Sequence, residues 1–206
     1  MSVKTWDDFD WSAYTEWYRN QYEDIVGNCG IAFVLEEGVD LEASTVHTNA
    51  KEIYEAIGRL KPDSVFECGC GPGHHLWNIQ KLYLGITVGG CDITQSQLDL
   101  GVELFSFTPD FCSKLSVIDF TRESATVELG EWDFVFTQAV TMHLAFDRAA
   151  QFLKNVSVLR PRWVMLMENR NYHDYDKLVK ESLPDFVQCD WTPRYNDHAI
   201  LLENMR

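Results

Sequence analysis

The sequence predicts an α/β protein built on a doubly wound, mostly parallel seven-stranded sheet whose last strand runs antiparallel, with a helical lid at the N-terminus. Three observations carry that expectation. Short apolar runs alternate with helical periods from about residue 48 onward. A glycine-rich turn joins the first of those runs to a helix. The connection before the final run, Asp190–Asp197, is about eight residues and too short for a comfortable helical crossover, so the last two strands should be antiparallel neighbours.

The strands are expected at SVFEC (64–68), TVGGC (87–91), LSVID (115–119), WDFVFT (132–137), WVMLME (163–168), 186–189 and 198–202. A helix over 49–60 precedes them, with Ile53, Ala56, Ile57 and Leu60 on one 3.6-residue face and Lys61-Pro62-Asp63 ending it. Thr94-Gln95-Ser96-Gln97 has capping-box spacing and opens a helix through Leu98, Val102 and Phe105. Asp147 is placed to cap a further helix that turns Ala150, Leu153 and Val156 inward, with Pro161 marking its end. Strand, helix, strand succession of this kind gives right-handed crossovers and a parallel sheet. The first 47 residues differ in character, with Trp6, Trp11, Tyr14, Trp17, Tyr18 and Tyr22 crowded into a segment that lacks strand alternation. We read 1–47 as a helical cap and 48–206 as one compact unit. The aromatics either pack a helix against the sheet or line a lid that closes over a ligand.

Composition narrows the function classes. A chain of 206 residues accommodates one domain with a modest cap, and 46% hydrophobic residues exclude global disorder. The 32 acidic residues outnumber the 17 basic ones, for a net charge of −15. Such a field repels a phosphate backbone, so nucleic acid is not expected as a partner. No stretch approaches the ~20 apolar residues that span a bilayer, so no membrane partner is expected. MSVKTWDDFDW places acidic and aromatic residues where a signal peptide would be basic and then apolar, and a cytoplasmic location is the expectation. The six cysteines lack the density of a disulfide scaffold and read as reduced thiols. A monomer or a homodimer is expected.

The most informative segment is Val65-Phe66-Glu67-Cys68-Gly69-Cys70-Gly71-Pro72-Gly73-His74-His75-Leu76. Glycines between a strand and a helix let the chain turn sharply and approach a ligand closely, and the helix start offers N–H groups. A dinucleotide fingerprint read from Gly69 would need its third glycine where His74 stands. The run is G-x-G-x-G instead, with Glu67 two residues ahead and no Lys or Arg to meet a pyrophosphate. That arrangement suits a ligand that is cationic at this point, such as the amino and sulfonium groups of S-adenosylmethionine. Asp92 follows the second strand, 19 residues beyond Gly73, where a carboxylate can accept bonds from vicinal ribose hydroxyls. Asp119-Phe120 after the third strand offers a carboxylate and a ring contact to an adenine.

With these landmarks in order, the chain from roughly Thr48 onward resembles the class I S-adenosylmethionine-dependent methyltransferases, small-molecule type. FECGCGPG is similar to that family's first motif, CDITQSQL to its second, VIDF to its adenine-contacting motif, and DFVFTQAVTMHL to the segment ending in the acceptor-facing loop. The resemblance implies a Rossmann-like sheet with a reversed last strand and S-adenosylmethionine as cofactor. It implies that Glu67, with Gly69, Cys70, Gly71 and Gly73, anchors the loop and the methionine end. By the same match Asp92, with Ile93 and Gln97, serves the ribose, Asp119 and Phe120 the adenine, and Thr137-Gln138 the methionine part.

Methyl transfer from a sulfonium is an in-line displacement that depends mainly on positioning. A hydroxyl or protonated amine acceptor must also lose a proton, for which histidine suits neutral pH. His143 past the fourth strand and His173 past the fifth are the catalytic candidates, against structural capping or a solvated loop; His74 also begins the helix after the glycine loop. A metal is not expected: Cys68, Cys70, His74 and His75 lack zinc-knuckle spacing, and 137–144 contains no acid for an oxygen-ligand site. A small-molecule acceptor under the aromatic lid is expected, with Tyr14, Trp17, Tyr18, Tyr22, Arg170 and Tyr172 lining its pocket. Asp7, Asp8, Asp10 and Glu16 either favour a cationic acceptor such as an amine or form a solvated face. The competing readings are a cofactor-binding regulatory protein without transfer activity and a nicotinamide-dependent oxidoreductase. His74 and Glu67 disfavour the latter.

Overall fold

The computed structural model describes residues 11–28, 32–122 and 129–206, with the backbone alone at 11, 12 and 23–28. Trp6, Asp7, Asp8, Asp10 and Cys29 lie outside the described residues, as does the side chain of Trp11. The strands are β1 (Ser64–Cys68), β2 (Thr87–Asp92), β3 (Leu115–Val117), β4 (Phe134–Gln138), β5 (Trp163–Met167), β6 (Phe186–Gln188) and β7 (Ala199–Asn204). They form one seven-stranded sheet in the order β3-β2-β1-β4-β5-β7-β6. β1 pairs in parallel with β2 and β4, placing Cys68 beside Cys91 and Glu67 beside Phe136, while β7 runs antiparallel to both β5 and β6. The doubly wound sheet with a reversed last strand is therefore as the sequence predicts. Strand order reverses between β1 and β4, which opens a crevice at their carboxyl ends.

The helices are α1 (Trp11–Asn28), α2 (Thr48–Leu60), α3 (His74–Leu82), α4 (Gln95–Phe105), α5 (Pro109–Cys112), α6 (Phe146–Val158) and α7 (Tyr175–Ser182), with a 3-10 turn at Thr141–His143. Ile53, Ile57, Leu76 and Ile79 of α2 and α3 pack one face of the sheet, and Phe152, Leu153, Val156 and Leu178 of α6 and α7 the other. β5 is buried at every position, the pattern of a strand covered on both faces. No described helix is long and apolar enough to cross a membrane.

Two start signals differ from expectation. Thr94 is the N-cap of α4, but its hydroxyl and N–H both donate to Asp92 Oδ1, at 3.1 and 3.0 Å. Gln97 turns away to donate to Thr15 Oγ1 of α1 at 3.1 Å, so no capping box closes. The nearby carboxylate of Asp92 outcompetes the helix for those donors. Asp147 lies in the first turn of α6, whose N-cap is Ala145. On α4, Val102 is 45% exposed while Leu98 and Gly101 are buried, because α4 presses its glycine against the loop after β1.

Among the described residues before α2, only α1 is helical. Residues 32–46 run as turns, because side chains of α3 take up their backbone groups. Asn78 Oδ1 accepts the Leu35 N–H at 2.8 Å, while Asn78 Nδ2 donates to the Phe33 carbonyl and the Tyr54 hydroxyl at 2.9 Å each. Lys81 adds a bond to the Leu35 carbonyl at 3.1 Å. Helix α1 lies against α4 through Thr15–Ser96 and an Arg19–Glu103 ion pair. Elsewhere, buried Glu52 accepts from the Trp191 indole and from the N–H groups of Arg194, Tyr195 and Asn196, fixing the β6–β7 connection to α2.

Candidate functional site

The loop after β1 is built from backbone bonds. The N–H groups of Gly69 and Cys70 both donate to the Cys91 carbonyl at 2.8 Å, and the Gly71 N–H donates to Asp92 Oδ2 at 2.9 Å. One carboxylate thus ties the glycine loop to the start of α4. Gly69 has φ +77, and a Cβ there would sit 2.4 Å from Val140 Cγ2, so only glycine allows the loop after β4 to lie over the loop after β1. Gly71 and Gly73 also have positive φ.

The loop after β4 is held from beneath. Ala139 sits at φ +53, a backbone region that side chains disfavour. Glu168, at the end of β5 and fully buried, accepts the Val140 N–H at 3.1 Å and the Met142 N–H at 3.2 Å. Burial pushes its carboxyl up to about 7 against the pull of those N–H groups. The Thr141 hydroxyl meets the Tyr175 hydroxyl at 3.0 Å, and His173 Nε2 meets the Thr141 carbonyl at 2.9 Å.

Between these loops, α1 and Phe33 lies a cleft with an empty volume of about 1100 Å³, its open mouth included. Glu67, Gly69, Cys70 and Gly71 line it from the first loop, Asp92, Ile93 and Gln97 from the end of β2 and α4, Asp119 and Phe120 from the end of β3, and Gln138 from β4. Gly73 and Thr137 do not line it. Gly73 caps α3, and the Thr137 hydroxyl points down to Glu168 at 3.4 Å. Asp119 Oδ1 is engaged by the Thr121 N–H at 2.9 Å and Thr121 hydroxyl at 2.6 Å, and Oδ2 by Arg122.

Of the two histidines singled out as catalytic, His143 lines the cleft and His173 does not. The ring of His173 packs edge-on between Phe146 and Tyr175, and its Nε2 is spent on Thr141. Tyr14 and Tyr18 line the cleft, whereas Trp17 is 51% exposed and stacks on Tyr14, and Tyr22 packs on Phe33 and Phe105. Arg170 and Tyr172 are exposed on the loop after β5, away from the cleft. Phe33, Val140 and Glu168 are the residues that sequence reasoning passes over. Glu168 had a signal, an acid placed directly after an unbroken apolar strand; Phe33 had none.

The electrostatics are lopsided. Among the described residues no Lys or Arg lines the cleft, while Glu67, Asp92 and Asp119 do. Burial, with Asp92 and Cys91 adding, pushes the Glu67 carboxyl well up, and its buried Oε2 has no partner among the described residues. Burial also raises Asp92, against the hydrogen bonds from Thr94 and Gly71. It lowers His143, and it drives His74 down to about 4. Two neighbouring carboxylates with no counter-cation among the described residues, one with an orphaned oxygen, fit the positively charged end of a sulfonium amino acid nucleoside. Among the described residues no group of three His, Cys, Asp or Glu is placed to hold a metal ion.

No protein-family model matches the chain, and no curated protein matches it by sequence. Solved structures do match. A magnesium protoporphyrin IX methyltransferase from Synechocystis PCC 6803, solved with bound S-adenosylmethionine, superposes with a TM-score of 0.55 at 15% identity, covering 92% of this chain and 95% of that one. An S-adenosylmethionine-dependent methyltransferase from Clostridium acetobutylicum gives 0.57 at 11% identity, covering 93% and 99%. The small RNA methyltransferase HEN1 gives 0.58 at 12% identity, covering 76% of this chain and 25% of that one. The fold is that of the class I S-adenosylmethionine-dependent methyltransferases.

Proposed function

We propose that this protein is an S-adenosylmethionine-dependent methyltransferase that transfers methyl to a small-molecule acceptor. The observation that carries the reading is the buried pair Glu67 and Asp92 at the carboxyl ends of β1 and β2, in a cleft lined by no Lys or Arg among the described residues. In this reading Glu67 takes the methionine amino group, Asp92 the ribose hydroxyls, and the Ile118–Phe120 wall the adenine. Helix α1 acts as the lid of residues 1–47 over the unit 48–206, with Tyr14 and Tyr18 facing the acceptor. When bound, the cofactor supplies an activated methyl group on a sulfonium. The chain's own part is positioning and exclusion of water, since collinear placement of donor and acceptor supplies most of the rate. His143 is the group at the acceptor end placed to take a proton.

Two considerations favour a small acceptor. The cleft lies beneath α1 and Phe33, and neither its described lining nor the net charge of −15 offers a basic track for a phosphate backbone. The fold by itself serves acceptors as different as a porphyrin and a small RNA. Calorimetric titration with S-adenosylhomocysteine and separately with NAD tests the cofactor assignment. Binding of S-adenosylhomocysteine that Glu67→Ala weakens is the expected result, and binding of NAD alone would overturn it.

A further inference from the structure

Among the described residues six buried side-chain polar atoms have no hydrogen-bond partner, and four of them belong to residues lining this one cleft: Tyr18 hydroxyl, Glu67 Oε2, His74 Nδ1 and Gln138 Oε1. Folded proteins rarely leave such atoms unpaired, so their convergence marks space for a ligand. The cofactor reading accounts for Glu67. It leaves Tyr18 and His74, which come from α1 and α3 and share Phe33 as a neighbour, with ring centroids 5.4 and 5.7 Å from it and 6.4 Å from each other.

Their chemistry restricts what can sit there. Burial keeps the His74 imidazole neutral and the Tyr18 phenol protonated at physiological pH. An anionic acceptor would enter a cleft lined by Glu67, Asp92 and Asp119 and, among the described residues, by no Lys or Arg to compensate its desolvation. A hydroxyl acceptor must shed its proton as it attacks, and burial has weakened both His74 and His143 as bases. An amine that sheds its ammonium proton to water as it enters has neither difficulty, because its lone pair is then free to attack and its N–H suits an imidazole nitrogen or a phenol oxygen.

Resting on the methyltransferase reading, we propose that Tyr18 and His74, under Phe33, form the acceptor subsite and that the acceptor is a small aromatic amine-bearing molecule methylated on nitrogen. The amine lone pair forms the new N–C bond as the C–S bond breaks with its electron pair remaining on sulfur. The positive charge passes from sulfur to nitrogen, and the surplus proton leaves past His143 to water. Tyr14, stacked on Trp17, and Phe33 supply the aromatic walls.

The test is made on protein first shown by calorimetry to bind S-adenosylhomocysteine; absence of that binding removes the underlying reading, independently of the acceptor. The saturated protein is then titrated with 2-phenylethylamine, 2-phenylethanol and 3-phenylpropionate. The amine is expected to bind on the order of 10-fold more tightly than the other two. Tyr18→Phe, which removes only the hydroxyl, should weaken amine binding severalfold more than it weakens S-adenosylhomocysteine binding. An amine that binds no more tightly than its alcohol or acid counterpart, binding of none of them included, overturns the proposal. So does a Tyr18→Phe protein whose amine affinity is unchanged.

Discussion

Glu168 offers a quantitative check, because its carboxyl is fully buried and titrates far from its position in an unfolded chain. Its pKa lies at about 7 instead of 4.5 in the folded protein, so the folded state holds a proton that the unfolded state has released across that interval. The sign follows: the protonated carboxyl stabilises the fold fully below pH 4.5, and that contribution is lost as pH rises through about 7. At ~1.36 kcal/mol for each pH unit, the loss is about 3 kcal/mol. Glu168→Gln keeps the shape and an acceptor oxygen for one of the Val140 and Met142 N–H groups, at a cost that does not vary with pH, and removes the titration. The unfolding free energy of the native protein relative to Glu168→Gln should therefore fall by about 3 kcal/mol between roughly pH 4.5 and pH 8. Urea unfolding followed by tryptophan fluorescence at half-unit pH steps measures that difference directly. Glu67 and Asp92 are also raised, but they remain in both proteins and cancel. Parallel pH profiles for the two proteins would refute the account of Glu168 as a buried, late-titrating clamp.

Three other expectations concern the loops around the cleft. Asp92→Ala removes the acceptor for Gly71, and with it charge-assisted bonds worth on the order of 1.5–3 kcal/mol, so S-adenosylhomocysteine affinity should drop about 10- to 150-fold; native-like affinity by calorimetry would place the cofactor elsewhere. A Cβ at Gly101 would lie 2.0 Å from the Pro72 carbonyl, so Gly101→Ala should force α4 away from the first loop and destabilise the protein by about 1–3 kcal/mol, read as a lowered urea midpoint; an unchanged midpoint would mean that contact is slack. His143→Ala should leave S-adenosylhomocysteine affinity within about twofold while lowering turnover on an accepted substrate severalfold, and wild-type turnover would return His143 to a packing role.

What could be read in advance was what local chemistry determines. The glycine run 69–73 and the apolar strand runs announce themselves because backbone sterics and a two-residue side-chain period act within a few residues. The short Asp190–Asp197 connection settles the direction of β7 by reach alone. Long-range partners decide the rest. His143 and His173 look equivalent in sequence, each a few residues past a strand, yet His173 is drawn to the Thr141 carbonyl across 32 positions and leaves the cleft to His143. Thr94-Gln95-Ser96-Gln97 has the spacing of a helix start signal, but Asp92 and Thr15 supply better partners than the helix terminus. Tyr18 faces the cleft while Trp17, its neighbour, faces solvent, a choice made by where α1 meets α4.

Asn78 gives the cleft an unusual economy of parts. Through its amide it suspends the 33–35 backbone from the very helix that begins at the glycine loop, so the ceiling residue Phe33 and the glycine loop are registered to a single rod. On the proposed methyltransferase reading, position 33 becomes an exchangeable visor, and altering its bulk is expected to retune the acceptor while leaving cofactor binding as it is.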